Sequence, residues 1–132
     1  MSKQNVIAIF DVGKTNKKLF LFDENYNILS EESTRLENIK DEDDFECENV
    51  DALTQWITTG FEKISSLDDF NISAVNFSGY GAGMVNINDI GKPITPLCSY
   101  LKPYPQSLKD KFYNTYGGES LISKQTASPT AG

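Results

Sequence analysis

The chain has 132 residues, of which 39% are hydrophobic and 23% are charged. That length suffices for one domain with a hydrophobic core and is too short for two ordinary domains. Nineteen acidic residues against twelve basic ones give a net charge of −7, which argues against nucleic acid or an anionic membrane as the main partner. The sequence contains no histidine, so any acid–base chemistry would depend on Asp, Glu, Lys or Tyr.

Three short segments at the beginning of the chain predict a three-stranded antiparallel meander. Val6–Phe10 and Leu19–Phe22 are apolar runs rich in β-branched and aromatic residues, which is typical of buried strands. The connection from Asp11 to Lys18 is too short for a crossover helix, so the two strands should form a hairpin. Ile28–Thr34 follows after a polar turn and is predicted to be the third strand.

The next segment, residues 36–48, has no clear hydrophobic period and is predicted to be a loop. It contains the acidic run Asp41–Asp44. This run lacks the glycine turn and the spaced ligands of a calcium loop, so we interpret it as solvated loop and not as a cation site.

A helix and a fourth strand are predicted after this loop. Asn49 or Asp51 caps the helix, which runs to Ile64 and carries one amphipathic stripe. Ile72–Phe77 is the fourth strand and leads into a glycine-rich segment, residues 78–83. The stripe consists of Leu53, Trp56, Ile57, Phe61 and Ile64.

The rest of the chain predicts a second hairpin and a second helix. Met84–Asn88 is a short strand followed by a turn over residues 88–93. Ser107–Tyr116 is a helix that Gly117 and Gly118 terminate. Residues 123–132 are small and polar, with no terminating element.

Two cysteines, Cys47 and Cys98, are far apart in the sequence and are interpreted as packed or idle thiols. So few thiols fit a reducing compartment, and no segment resembles a signal peptide or a membrane span. We therefore expect a cytoplasmic protein.

The sharpest local pattern is Asp11–Lys18, DVGKTNKK, between two strands. A carboxylate at the end of a buried strand can hold hydrated Mg²⁺, and Gly13 lets the backbone approach a phosphate. Because two strands flank it, this segment is not a P-loop, which opens a helix. By itself it fits a polar hairpin turn with solvated lysines equally well.

Three blocks in order resemble the N-terminal half of the FGGY carbohydrate kinases, which belong to the sugar kinase, Hsp70 and actin superfamily. They are VIAIFDVGKTNKKLFLFD, the capped helix near NVDALTQWI, and ISAVNFSGYGAGMVNINDIGKPITPL. The first block matches the family's D-x-G-[TA]-[TS]-[SN]-x-[KR] hairpin and a second strand ending in F-D. The third matches a later pattern at Ile72, Ala74, Val75, Ser78, Val85, Ile87, Gly91 and Pro93.

The resemblance implies an α/β fold of the ribonuclease H-like (actin-like ATPase) class. Residues 1–132 would be an incomplete N-terminal domain, with the meander, a helix, a further strand and an inserted hairpin. It also implies ATP and Mg²⁺ as cofactors, with Asp11 near the metal and contacting it through water. The implied ATP phosphate-binding residues are Gly13, Lys14, Thr15, Asn16 and Lys18.

Substrate contacts implied by the resemblance follow the fourth strand. Ser78, Tyr80 and Gly81 lie where the family places sugar contacts, and Tyr80 could stack on a sugar ring or be a core tyrosine. Many members have W-x-D-x-R near the position of Tyr100. Here Tyr100 can replace the tryptophan, but Lys102 replaces the aspartate and no arginine follows, so the usual sugar contact does not carry over. Tyr100 and Lys102 are kept as candidate substrate-binding residues. Lys14 replaces the usual Thr or Ala of the hairpin.

The function implied is that of an ATP-dependent carbohydrate kinase acting on a ketose or related sugar, with a preference for a deoxy-ketohexose. The catalytic aspartate and the C-terminal nucleotide-binding domain are expected beyond residue 132, so the chain alone should be inactive. Sugar and ATP are the expected partners, and a homodimer is left open. The alternatives are another actin-like nucleotide-binding protein, such as an acetate kinase or chaperone-type ATPase, and a non-catalytic interaction module.

Overall fold

Three antiparallel strands open the chain: β1 (Gln4–Val12), β2 (Lys17–Phe22) and β3 (Ile28–Thr34). The computed structural model describes residues 3–97 and 99–129. Strand β1 has alternating burial, with Val6, Ala8 and Phe10 fully buried on one face. The meander predicted from the sequence is confirmed.

Helix α1 (Val50–Ser65) covers the buried face of this meander. It begins where predicted, because the side chain of Asn49 accepts a hydrogen bond of 3.0 Å from the amide of Ala52. The ring of Trp56 meets Phe10 edge-on with the centroids 5.5 Å apart. Gly60 allows this close packing, since a Cβ there would lie 3.1 Å from the Phe10 ring.

A fourth long strand, running Phe70–Gly79, completes the main sheet. It is β6, since the short strands β4 (Ile39–Lys40) and β5 (Glu46–Cys47) precede it in the chain. It pairs in parallel with β1, which gives the strand order β3-β2-β1-β6. The helical connection between β3 and β6 is what a parallel pairing requires. The sheet and helix thus form a mixed α/β unit in which the ends of β1, β2 and β6 meet at one edge.

The segment predicted as loop, residues 36–48, contains a small hairpin. Strands β4 (Ile39–Lys40) and β5 (Glu46–Cys47) pair antiparallel. The carboxylate of Asp41 accepts hydrogen bonds from the amides of Asp43 and Phe45, so the acidic run forms the turn of this hairpin. The prediction of a loop was therefore wrong at its ends, because two-residue strands have no detectable period.

The second predicted hairpin is present as a turn without regular strands. The side chain of Asn88 accepts hydrogen bonds from the amides of Ile90 and Lys92, and Gly91 has a φ of 76°. One isolated bridge joins Ile87 to Pro93. Backbone hydrogen bonds from Ile94 to Asn86 (3.0 Å) and from Asn88 to Lys92 (2.9 Å) flank this bridge, which needs no N–H from Pro93. The pairing is short, so residues 84–88 do not form the regular strand that was predicted.

Residues from Tyr100 onward form a second compact unit. It contains α2 (Gln106–Thr115), which confirms the predicted helix, and α3 (Glu119–Thr126), which was not predicted from the sequence. Gly117 and Gly118 separate the two helices with φ values of 90° and 96°, which favour glycine. Of the predicted polar segment 123–132, residues 123–126 are helical and residues 130–132 lie outside the described part, as does Cys98.

None of the helices in the described ranges is long and apolar enough to cross a bilayer.

Candidate phosphate-binding site

Three polar side chains lie in register at the end of the sheet. In the strand pairing, Asp11 of β1 is opposite Lys18 of β2 on one side and Ser78 of β6 on the other. Residues paired across neighbouring strands point to the same face, which here is the face away from α1, because the alternate residue Phe10 belongs to the core. The pleat of the sheet therefore brings together two of the predicted nucleotide-binding residues and one predicted sugar contact.

The turn from Gly13 to Asn16 is tightly closed. A Cβ atom at Gly13 would lie 2.7 Å from the backbone oxygen of Asn16, which is closer than real Cβ contacts allow. Gly13 is needed for this close backbone approach and not for a left-handed conformation, since its φ is not positive. The sequence analysis assigned Gly13 to the approach of a phosphate, which stays a prediction; the geometry shows that Gly13 lets the turn itself close.

Lys18 is held beside the turn by Glu31 of β3. Its Nζ donates a hydrogen bond of 2.7 Å to the Glu31 carboxylate, and it lies 5.6 Å from the centroid of the Phe20 ring. The hydrogen bond to Glu31 and the charge of Glu31 raise the pKa of Lys18, and the charge of Asp11 adds to the effect. Lys18 is therefore cationic throughout the physiological range.

The remaining residues of the turn are exposed. Asn16 is oriented by Arg35, whose Nε donates a hydrogen bond of 2.9 Å to the Asn16 side-chain oxygen. Thr15 and Lys14 are exposed at the tip. The turn thus presents a hydroxyl, an amide and a cation to solvent at the end of the sheet, which are groups that can bind a phosphate.

The candidate sugar contacts divide between the two units. Ser78 is exposed at the end of β6, and Gly81 has open space around it. The Tyr80 hydroxyl donates a hydrogen bond of 2.6 Å to Glu48, and its amide donates to the oxygen of Val12. Tyr100 and Lys102 belong to the second unit, so they are described apart from the others.

Sequence reasoning missed Lys17, Glu48 and Arg35 at this site. Lys17 is 3% exposed, and its Nζ donates to the backbone oxygens of Gly13 and Lys14 at 2.9 and 3.0 Å and forms an ion pair with Glu48. The signal was present in the alternation of β2, in which residues 17, 19 and 21 share the buried face. It was obscured because two adjacent lysines begin the strand, one on each face, and apolar residues follow on both faces.

In this site Asp11 is the residue that would hold a metal ion. The described ranges contain no cluster of three His, Cys, Asp or Glu side chains that could enclose an ion. Mg²⁺ usually keeps several waters and binds through one or two carboxylates together with substrate phosphates. A single half-buried carboxylate, aligned with a hydroxyl and next to an exposed polar turn, fits an ion held in that way.

Comparison with known protein families identifies the chain. Residues 6–129 match the model of the N-terminal domain of the FGGY family of carbohydrate kinases. The chain therefore belongs to this family. A search of curated proteins found no match.

Solved structures with the same fold come from carbohydrate kinases. A carbohydrate kinase from Novosphingobium aromaticivorans has a TM-score of 0.73 at 17% identity, with 86% of this chain and 23% of that one covered. Gluconate kinase from Lactobacillus acidophilus has a TM-score of 0.72 at 17% identity, with 92% and 25% covered. Ligand-bound xylulose kinase from Lactobacillus acidophilus has a TM-score of 0.71 at 17% identity, with 91% and 24% covered.

These similarities establish the fold as the N-terminal part of the actin-like ATPase, or ribonuclease H-like, fold. The chain spans about a quarter of the length of the solved structures that it matches.

Proposed function

We propose that this chain supplies the phosphate-binding corner of an ATP-dependent kinase that transfers the γ-phosphoryl group of ATP to a sugar hydroxyl. The observation that carries this proposal is the alignment of Asp11, Lys18 and Ser78 across three adjacent strands beside the closed turn. Membership of the FGGY family supports it. Phosphoryl transfer depends mainly on positioning and charge neutralisation, which such a corner can provide.

In this proposal the turn binds the phosphates of ATP. Gly13 allows the tight closure of the turn, and Thr15 and Asn16 provide side-chain donors at its exposed tip. Lys18 and Lys14 supply positive charge, Lys18 from a position fixed by Glu31 and Lys14 from the tip of the turn.

Asp11 would hold Mg²⁺, through water, where it can also meet the phosphates. When bound, the ion neutralises negative charge on the phosphates. Asp11 also contributes to keeping Lys18 protonated, since its charge raises the pKa of that lysine. We do not assign Asp11 the role of proton acceptor, because a metal-bound carboxylate is a poor base.

The acceptor in this proposal is a ketose or related sugar, with a deoxy-ketohexose preferred. Ser78 and Gly81 would contact it from the end of β6 and the segment that follows. Tyr80 is half-buried, and its hydroxyl is committed to Glu48, so its ring would make the contact. Tyr100 and Lys102 of the second unit are proposed separately as substrate-binding residues.

The catalytic aspartate and the adenine pocket are assigned to a C-terminal domain outside this chain. This assignment is supported by the share of the matched structures that the chain covers, about a quarter. The isolated chain would accordingly lack kinase activity. We also propose that the whole enzyme is cytoplasmic.

The proposal is tested by measuring ATP consumption by the full gene product over a set of ketoses and polyols. We expect ADP release to depend on one sugar or a small group of sugars. ATP hydrolysis that no sugar stimulates would contradict the kinase assignment and favour another actin-like ATPase. Failure to bind or consume ATP at all would favour a non-catalytic module.

A further inference from the structure

A buried lysine lies beneath the phosphate turn. Strand β2 alternates between a buried and a half-buried face, and Lys17 shares the buried face with Leu19 and Leu21. The side chain of Lys17 is 4% exposed. An ammonium group in such surroundings is costly unless all its donors are paired, so its partners should be informative.

The ammonium group of Lys17 has three N–H donors, and three acceptor atoms lie within hydrogen-bond distance of it. Two acceptors are the backbone oxygens of Gly13 and Lys14, at 2.9 and 3.0 Å, and the third is an oxygen of Glu48. Two of its three hydrogen bonds are therefore made to consecutive peptide groups of the turn.

These two bonds also orient the amides of the turn. In a planar trans peptide the C=O and N–H groups point in opposite directions. When Lys17 holds the oxygens of Gly13 and Lys14, the N–H groups of Lys14 and Thr15 must point away from Lys17 and from the buried side. Successive amides oriented in one direction form a concave site for an anion.

Glu48 extends this arrangement toward the segment after β6. One of its oxygens pairs with Lys17, and the other accepts a hydrogen bond of 2.6 Å from the hydroxyl of Tyr80. The side chain of Glu48 is 10% exposed. In the sequence Glu48 directly precedes Asn49, the residue that caps α1. It is thus fixed between the turn, the helix and the glycine-rich segment 78–83.

We infer that Lys17, Glu48 and Tyr80 form a relay that orients the amides of the phosphate turn and couples them to the segment 78–83. Lys17 is a positioning residue, since it acts on the anion through the backbone of the turn. The coupling rests on the proposed function, in which the turn binds phosphate and segment 78–83 contacts the sugar. If Tyr80 moves when sugar binds, the carboxylate of Glu48 would transmit the movement to Lys17 and so to the phosphate turn.

The relay can be tested by NMR on protein labelled with ¹⁵N-lysine and ¹⁵N-threonine. The amides of Lys14 and Thr15 belong to the two peptide groups whose oxygens Lys17 binds, so their signals report whether these two hydrogen bonds are kept. The variants are Tyr80→Phe and Glu48→Gln. The matched control is Tyr26→Phe, which removes the same hydroxyl from a tyrosine that is 78% exposed in the β2–β3 turn.

We expect both relay variants to shift the Lys14 and Thr15 amide signals and the control to leave them in place. Unchanged signals in Tyr80→Phe and Glu48→Gln would overturn the relay. Tyr80→Phe keeps the aromatic ring, so it remains informative if the charge change in Glu48→Gln unfolds the protein. This comparison needs no nucleotide, so it decides the relay independently of kinase activity.

A titration with inorganic pyrophosphate tests the link to anion binding. We expect the relay variants to raise the dissociation constant roughly tenfold, the factor typical for loss of a hydrogen bond to a charged group. Lys17→Arg should retain more affinity than Lys17→Met, because it keeps the charge. Equal losses in those two variants would contradict positioning by the cation. No pyrophosphate binding by the unmodified protein would contradict the phosphate role of the turn, and the amide shifts would then decide whether the relay exists.

Discussion

Replacement of Gly13 by alanine should distort the phosphate turn. The added Cβ would lie 2.7 Å from the backbone oxygen of Asn16, whereas ordinary van der Waals contact begins at 3.4 Å. The turn must therefore open by the difference, 3.4 − 2.7 = 0.7 Å. Because the opposing atom belongs to the backbone, no side-chain rotation can relieve the contact.

The energetic cost follows from two opposing effects. Overpacking of this kind costs about 1–3 kcal/mol. Alanine also restricts the unfolded chain, which stabilises a protein by about 0.4–1 kcal/mol where the native φ is compatible, as it is at Gly13. We therefore expect a net loss of about 1.3 kcal/mol in the free energy of unfolding, the difference between the midpoints of the two effects, or about 5 °C in Tm.

The assay is chemical denaturation of the variant beside Gly79→Ala as a control. Gly79 also lies at the end of a strand of this sheet, but it is exposed, and a Cβ there would meet no atom within 4 Å. The control should therefore keep the stability of the unmodified protein to within about 0.5 kcal/mol. If Gly13→Ala is as stable as Gly79→Ala and binds pyrophosphate as tightly as Gly79→Ala does, the tight closure of the turn is needed neither for stability nor for anion binding.

Three further substitutions test the fold by denaturation. Lys17→Met should lower the free energy of unfolding by about 3 kcal/mol, because it leaves the carboxylate of Glu48 buried without its cation. A loss no greater than that caused by replacing an exposed lysine with methionine would contradict the buried pair. Asn49→Ala should cost about 1 kcal/mol through loss of the cap on α1, and an unchanged free energy of unfolding would show that the cap contributes nothing. The side-chain hydrogen bond from Asn27 lowers the pKa of Asp23, so the stability that Asp23 contributes is present above its unfolded pKa and is lost as pH falls through the lower folded value. The difference between the unmodified protein and Asp23→Ala should therefore narrow in a pH series below about 4, and a constant difference would refute this linkage.

Much of the first unit was predictable because local signals agree with the tertiary structure. The apolar runs of β1 and β2 are separated by a connection too short for anything but a hairpin, and β3 was predicted with the bounds observed. Asn49 precedes the amphipathic stripe of α1 and does cap the helix.

The elements that were missed lack such signals. Strands β4 and β5 have two residues each, so no alternation can be detected in them. Helix α3 has eight residues and follows Gly117 and Gly118 directly, and its composition, ESLISKQT, is mostly polar. The turn over residues 88–93 was predicted, but the pairing beside it is limited to a short stretch around the Ile87–Pro93 bridge, too short to form the predicted strand.

The candidate site was predictable where a residue acts through its position in a motif. Asp11 and Lys18 come from the hairpin pattern, and the pairing of β1 with β2 and β6 explains why they align with Ser78. Lys17 could not be distinguished from its neighbour by composition, because two adjacent lysines give the same signal. Its role depends on Glu48, which is 31 residues away in the sequence and is brought close only by the fold.

The most direct test of the central claim is sugar-dependent ADP release by the full gene product, compared between the unmodified protein and Asp11→Asn. We predict release that saturates with the sugar and falls roughly 100-fold in Asp11→Asn, as expected when a metal and phosphate contact worth several kcal/mol is lost. Tyr26→Phe, which changes only an exposed side chain in the β2–β3 turn, should retain the activity of the unmodified protein. Equal rates in Asp11→Asn and the unmodified protein would contradict the assignment of this sheet edge as the metal–phosphate corner of a carbohydrate kinase.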